Sequence, residues 1–214
     1  MDIYLCFVYL NQRKIIKKRG IPMAAKKMDR RVRKTREQLK IGLAKLMERK
    51  SIREITVKEL VEEVDINRST FYLHYSDIYQ MLDQIEEEME QEVISAIKNN
   101  PLDPLHATSY PFISQIFTFL SKNRDICRAL LGPNGDMNFV EKMEKLIGET
   151  VLQSLPERLP VKESDVKYGY AFCLTGCIGL VRIWLEHPEM DSPEHMAEVC
   201  GELIDGIIQH HLAK

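Results

Sequence analysis

An all-α fold is what this sequence predicts, on three observations. Apolar residues recur at intervals of three and four along most of the 214 residues, strict alternation is almost absent, and breaks rich in Pro and Asn punctuate the long periodic segments. With 44% hydrophobic residues the chain can bury a good core and fits one or two domains.

Residues 1–25 are expected to be an extension. The run IYLCFVYL is apolar but only about eight residues long, too short to span a bilayer. Its positive charges follow it and no small-residue cleavage site is evident, so it does not read as a secretory signal. Met23-Ala-Ala-Lys-Lys begins like an ordinary bacterial start, so the stretch ahead of it reads as upstream translation or a dispensable extension, with a membrane anchor as the alternative. KKMDRRVRKTR, Lys26 to Arg36, then leads into a first helix that continues to about Arg49, with Val32, Leu39, Leu43, Leu46 and Met47 as its apolar stripe. Ile52 and Ile55 are core pegs in the connection that follows.

The next stretch, TVKELVEEVDINRSTFYLHY, reads as two short helices joined by a tight corner. Thr56 and Glu59 have capping-box spacing, and Val57, Leu60, Val61 and Val64 make one apolar face. Asp65-Ile66-Asn67 is the corner, with Ile66 as its apolar plug and Asn67 capping a second helix from Arg68 to about His74. Phe71 should face the core. Arg68, Ser69, Thr70, Tyr72 and His74 are left mostly outside, a set suited to DNA: Arg forks onto guanine, while hydroxyls commonly take phosphates. A helical hairpin with a solvated polar face is the blander reading of the same spacing.

Ser76 opens a long helix to about Lys98. Ile78, Met81, Leu82, Ile85, Met89, Val93 and Ile97 form its stripe, and its acidic centre is either solvated or part of a lever between two domains. Asn99-Asn-Pro-Leu-Asp-Pro breaks the chain. Five further helices are expected at about 105–122, 123–131, 137–154, 163–186 and 193–211. The fourth is apolar nearly all round, which predicts burial by more than one neighbour. Gly169, Ala171, Gly176 and Gly179 would admit another helix closely. Phe117, Phe139, Met143, Tyr168, Phe172 and Trp184 are candidates to line an apolar ligand pocket, or else plain core.

Charge is divided along the chain. From Asn11 to Lys58, 18 Lys and Arg stand against 4 Asp and Glu, about +14; the remainder holds 12 against 28, about −16. A basic front and an acidic back fit a molecule that meets a polyanion at one end, a contrast hidden by the net charge of −2.

ITVKELVEEVDINRSTFYLHYSDIYQML resembles the DNA-binding signature of the TetR/AcrR family of bacterial transcriptional regulators. The matching positions are Thr56, Leu60-Val61, Ile66, Asn67, Thr70, Tyr72, His74-Tyr75 and Met81-Leu82, and the likeness extends back to Thr35-Arg36, Leu39, Ala44 and Leu46, covering roughly residues 30 to 90. There are three departures: Asp65 stands where Gly is usual, Ser69 where Gly is frequent, and Ile78 where a Lys often contacts phosphate. Leu120 to Phe139 resembles a subgroup that includes a dihydroxyacetone-kinase activator, some members of which act with a partner protein. The resemblance implies a DNA-binding domain over 26–90 and a dimerisation and effector domain over 91–214. It also implies a homodimer paired through helices 163–186 and 193–211; packing within one chain is the alternative for those two helices.

On this reading the chain is a cytoplasmic, homodimeric regulator, expected to repress, that binds double-stranded operator DNA and answers to a small apolar ligand or a partner protein. Arg68 is the expected base reader, with Lys58 and Ser69 nearby. Thr56, Asn67, Thr70, Tyr72, His74 and Tyr75 complete the DNA-facing set, helped by Lys26, Lys27, Arg30, Arg31 and Arg33. A helical adaptor working through protein contacts is the alternative. No cofactor, metal site or membrane role is expected. Cys6, Cys127, Cys173, Cys177 and Cys200 include one close pair, Cys173 and Cys177, without His or carboxylate beside it, so free buried thiols are the default and a redox pair the minor reading. No phosphate-cradling Gly loop, metalloprotease motif or nucleophile elbow is present, so nothing supports an enzyme.

Overall fold

A computed structural model of the chain describes residues 30–100, 110–154, 162–187, 189 and 191–207. Every regular element among them is helical: α1 Arg30–Arg49, a 3-10 turn Ile52–Glu54, α2 Val57–Glu63, α3 Arg68–Tyr72, α4 Ile78–Asn99, α5 Tyr110–Lys122, α6 Arg124–Leu131, α7 Met137–Ser154, α8 Glu163–Glu186 and α9 Pro193–Ile207. The expected extension 1–25, Lys26 and Lys27 lie outside the described residues, as do 105–109 and 208–211 at two expected helix ends. By compactness the chain divides into residues 1–37 and residues 38–214. Of the first unit, the opening residues of α1 are described; Arg30, Arg31 and Arg33 are exposed there. The expected boundary near Gln91 falls inside the second unit and is a functional division only.

Side chains start each helix from the 3-10 turn to α4. Ser51 and Thr56 both form reciprocal capping boxes, with Glu54 and Glu59 respectively. Asn67 accepts from the Ser69 amide, and Asp77 accepts from the Gln80 amide at the head of α4. These caps satisfy orphan amides that helices of seven and five residues could not otherwise spare. The apolar faces then close: Leu39, Leu43, Ala44, Leu60, Phe71 and Met81 are fully buried, with Ile55, Val61, Tyr75 and Ile78 around them. Gly42 lets α1 approach α2, since a Cβ there would stand 2.3 Å from Val64 Cγ1.

In the body, α5 packs chiefly on α9 and also on α4, while α8 lies against α6, α7 and α9. Phe117 and Trp184 meet edge to face at 5.2 Å, the Arg124 guanidinium lies 5.2 Å from the Trp184 ring centre, and the Trp184 indole donates to the Asp191 carbonyl at 2.9 Å. More than one neighbour packs on α8, as expected, but the burial is one-sided. Rather than being buried all round, α8 leaves Tyr168, Phe172 and Ile183 exposed. Its neighbours cover only the side that carries Val166, Val181, Trp184 and Leu185.

Candidate nucleic-acid interface

The corner between α2 and α3 turns on Asp65, the one described non-glycine residue with positive φ, at 53°. This left-handed step stands where the family resemblance puts glycine, and Asp is among the side chains that tolerate it. The Ile66 amide then donates to the Val61 carbonyl at 3.0 Å, closing the turn.

From Asn67 the chain enters α3, and helical spacing sorts its side chains. Phe71 and Tyr75, four apart, point inward with rings 5.7 Å apart. Arg68, Ser69, Tyr72 and Leu73 point outward and are exposed, and Thr70 and His74 lie half-buried at the flanks. Tyr75 therefore leaves the expected DNA-facing set: at 6% exposure its ring is core. Thr56 and Asn67 are exposed but committed to caps. The Thr56 hydroxyl donates to Glu59 at 2.9 Å, and Asn67 Oδ1 accepts from both the Ser69 amide and its hydroxyl. Lys58 stands 3.9 Å from Glu62, an exposed pair that costs little to open. Ile78, where a phosphate-binding Lys is frequent, is core at 4% exposure.

One group beside the site has its protonation fixed by this framework. Hydrogen bonds from Lys50 and then Thr56 hold the Glu59 carboxyl down to about 2, so the capping box stays ionised at any pH near neutral.

Two links tie α1 to the body, and neither is suggested by local sequence. Lys40 Nζ donates to Asn123 Oδ1 at 2.5 Å, and Glu48, about two turns further along α1, pairs with Arg128. The Asn134 side chain adds a hydrogen bond to the Glu48 carbonyl at 3.3 Å. On α4, Glu90 pairs with Lys142 of α7 at 2.7 Å. Glu86, one turn earlier, has a buried oxygen with no hydrogen-bond partner among the described residues. Burial, then the charges of Asp136 and Asp83, push its carboxyl up to about 7 against the opposing effect of Lys142.

The six residues expected to line a pocket do not come together as one. Phe117, Phe139 and Trp184 are buried core and Met143 packs on that core, whereas Tyr168 and Phe172 are 74% and 70% exposed on the outer side of α8. Two clefts, of about 470 and 790 Å³, take their walls from other residues; the larger lies between α4 and α5, with Glu87, Glu88 and Glu92 facing Lys122 and Gln115. The expected thiol pair also changes partners. Cys177 hydrogen-bonds with Cys200 of α9; that bond, then burial, raises the Cys177 pKa, while the same bond lowers that of Cys200 against the opposing effect of burial.

Sequence reasoning passed over Leu73, the most exposed large apolar side chain described, at 82%. Its position two after inward-facing Phe71 was the available signal.

Residues 107–206 match a family described as a transcriptional regulator C-terminal region, TetR_C_8. The helix-turn-helix regulator YxbF of Bacillus subtilis strain 168 is 24% identical over 174 residues, 78% of this chain and 44% of its own length, so the chain spans less than half of that relative. Among solved structures, the dihydroxyacetone kinase operon activator DhaS superposes with a TM-score of 0.53 at 15% identity, over 83% of this chain and 98% of its own. A TetR regulator from Streptococcus agalactiae 2603V superposes with a TM-score of 0.51 at 20% identity, over 82% and 96%. Each of these three is described as a transcriptional regulator or an operon activator. With a family match over residues 107–206, a helix-turn-helix regulator similar to it in sequence, and a fold shared with TetR regulators, the chain is similar to the TetR family of transcriptional regulators.

Proposed function

We propose that this protein is a cytoplasmic, homodimeric repressor that reads a roughly palindromic operator with α3. The observation that carries the proposal is the outward face of α3, where Arg68, Ser69 and Tyr72 are exposed on a frame capped at each turn and filled by Phe71. Arg68 is exposed and presents a guanidinium for guanine, while Ser69, Thr70, Tyr72 and His74 hold phosphates. Lys26, Lys27, Arg30, Arg31, Arg33 and Lys58 add charge that neutralises the backbone without selecting sequence.

The second copy supplies the other half-site. Tyr168, Phe172, Gly176, Gly179 and Ile183 follow one another at spacings of four, four, three and four along α8, and Leu203 of α9 is exposed as well. A Cβ added at Gly169, Gly176, Gly179 or Gly206 meets nothing within 4 Å. Such a stripe, open and small at its centre, suits two α8–α9 pairs packed across a twofold axis. Ser164–Glu186 is also long and apolar enough to cross a membrane by length and composition. The continuous packing of α9 on α5 and the charge contrast of the chain favour a second copy over lipid.

Regulation follows from α4, which begins beside the reader and forms one wall of the larger cleft. A small molecule or partner protein that prefers one setting of α4 shifts operator affinity only by its differential affinity for the two settings. Residues 26–90 thus read DNA, and 91–214 pair and sense.

The test is binding to duplexes selected from a random pool, over a salt series. Selective binding that weakens with salt is expected. Arg68→Ala should lose about 1–3 kcal/mol of base discrimination, whereas Lys27→Ala should weaken all sequences alike. If Arg68→Ala keeps the full sequence preference, Arg68 is not the base reader. If no duplex is selected at any salt, the adaptor reading takes over.

A further inference from the structure

We propose that Leu73 reads a thymine C5-methyl group in the major groove, beside the base edge taken by Arg68. The inference rests on the DNA-reading function proposed above and adds to it a second, apolar specificity contact.

Single exposed apolar residues are ordinary on protein surfaces, so exposure alone decides nothing. Position does. Leu73 keeps helical backbone angles of −71° and −19° at the end of α3, and its amide donates to the Ser69 carbonyl at 3.2 Å. It therefore stands one turn beyond Ser69, next to the ridge made by Arg68 and Tyr72. It cannot fold inward, because Phe71 and Tyr75 fill that side at 0% and 6% exposure. Half of the other exposed large apolar side chains, Tyr168, Phe172, Ile183 and Leu203, lie on α8 and α9, the surface proposed above for a second copy. Leu73 lies on neither of those helices and stands at the C-terminal edge of the reading face, one turn beyond Ser69.

The chemistry then selects the occupant. A leucine side chain has no donor or acceptor, so it offers nothing to phosphate, guanine, adenine or cytosine edges. Thymine alone presents an apolar group in the major groove, its methyl. With about 1.5 Å of rise per residue, Leu73 lies about 7.5 Å along α3 from Arg68, which keeps the two contacts within about two base pairs of each other whatever the inclination of α3 to the duplex axis. The operator should therefore carry a thymine within about two pairs of the guanine read by Arg68.

The experiment uses the full chain and duplexes selected by it from a random pool. Deoxyuridine replaces each conserved thymidine in turn, which removes only the methyl, and binding is measured by fluorescence anisotropy for wild type and Leu73→Ala. For wild type, one position per half-site should weaken binding by roughly three- to five-fold. Leu73→Ala should bind the thymine operator about as weakly and be indifferent to the methyl at that position. Overturning results are a Leu73→Ala protein as methyl-sensitive as wild type, or a wild type indifferent to every replacement. If wild type selects no sequence at all, the DNA-reading function fails and takes this inference with it. If it selects but ignores methyls, only the role of Leu73 falls. Leu73→Met, which keeps an apolar tip, should retain part of the methyl sensitivity.

Discussion

Phe71 of α3 is fully buried and Phe172 of α8 is 70% exposed, although each sits in a helix with apolar neighbours. The difference is whether a region is finished within one chain. Around Phe71, the short α2 and α3 and the head of α4 are capped by side chains, and the apolar faces of α1 to α4 close on one another. Around Phe172, α8 runs 24 residues with no side-chain cap at Lys162 and with neighbours on one side only. A DNA reader has to present a fixed set of side chains, so its frame is complete in the monomer. On the proposed dimer, a second copy completes the exposed α8–α9 surface, as a pairing element requires.

Truncation should separate the two regions most sharply. Phe71→Ala removes a ring from a filled core and should cost about 3–5 kcal/mol, seen as a large drop in urea or thermal midpoint together with lost DNA binding. Phe172→Glu should leave the fold of the monomer in place, with far-ultraviolet dichroism unchanged. It should sediment as a monomer and bind the operator on the order of 100-fold more weakly, because the half-sites are no longer linked. A Phe172→Glu protein that stays dimeric would break the comparison.

A smaller effect lies where the two regions meet. The Glu86 carboxyl is raised from its ordinary 4.5 to about 7, so the folded state holds its proton more tightly than the unfolded chain does. The penalty for ionising it is full above about pH 7, shrinks as pH falls, and is absent below about 4.5. Glu86→Gln should therefore raise the melting temperature at pH 8 and leave it nearly unchanged at pH 4. An equal gain at both pH values would assign the effect to something other than this carboxylate.

The smallest effect is expected at the corner. Asp65→Gly relieves a left-handed residue with φ of 53° but frees the unfolded chain, so the net gain should stay within about 1 kcal/mol. A gain of several kcal/mol would show that the corner is strained well beyond its dihedral.

Local rules were legible in the sequence and long-range ones were not. The Thr56–Glu59 box, the Asn67 cap and the left-handed demand on Asp65 all lie within a few residues of the groups they serve, and the bounds of α7 and α8 followed from spacing and breakers. Tyr75 was misread because its ring direction depends on the neighbouring helices, not on its place in a motif. Tyr168 and Phe172 were assigned to a pocket because composition marks a helix as apolar without saying which side its neighbours cover. Lys40 and Asn123, 83 residues apart, leave no trace in either local segment.

Hydroxyl-radical footprinting of the full chain on its selected duplex tests the central claim most directly. Two protected half-sites are expected, their centres about 34–36 Å apart or a multiple of that, and in parallel dimethyl sulfate reactions the major-groove guanines of each half should be shielded from methylation, with the shielding lost in Arg68→Ala. One protected half-site alone, or protection that ignores Arg68, would contradict it.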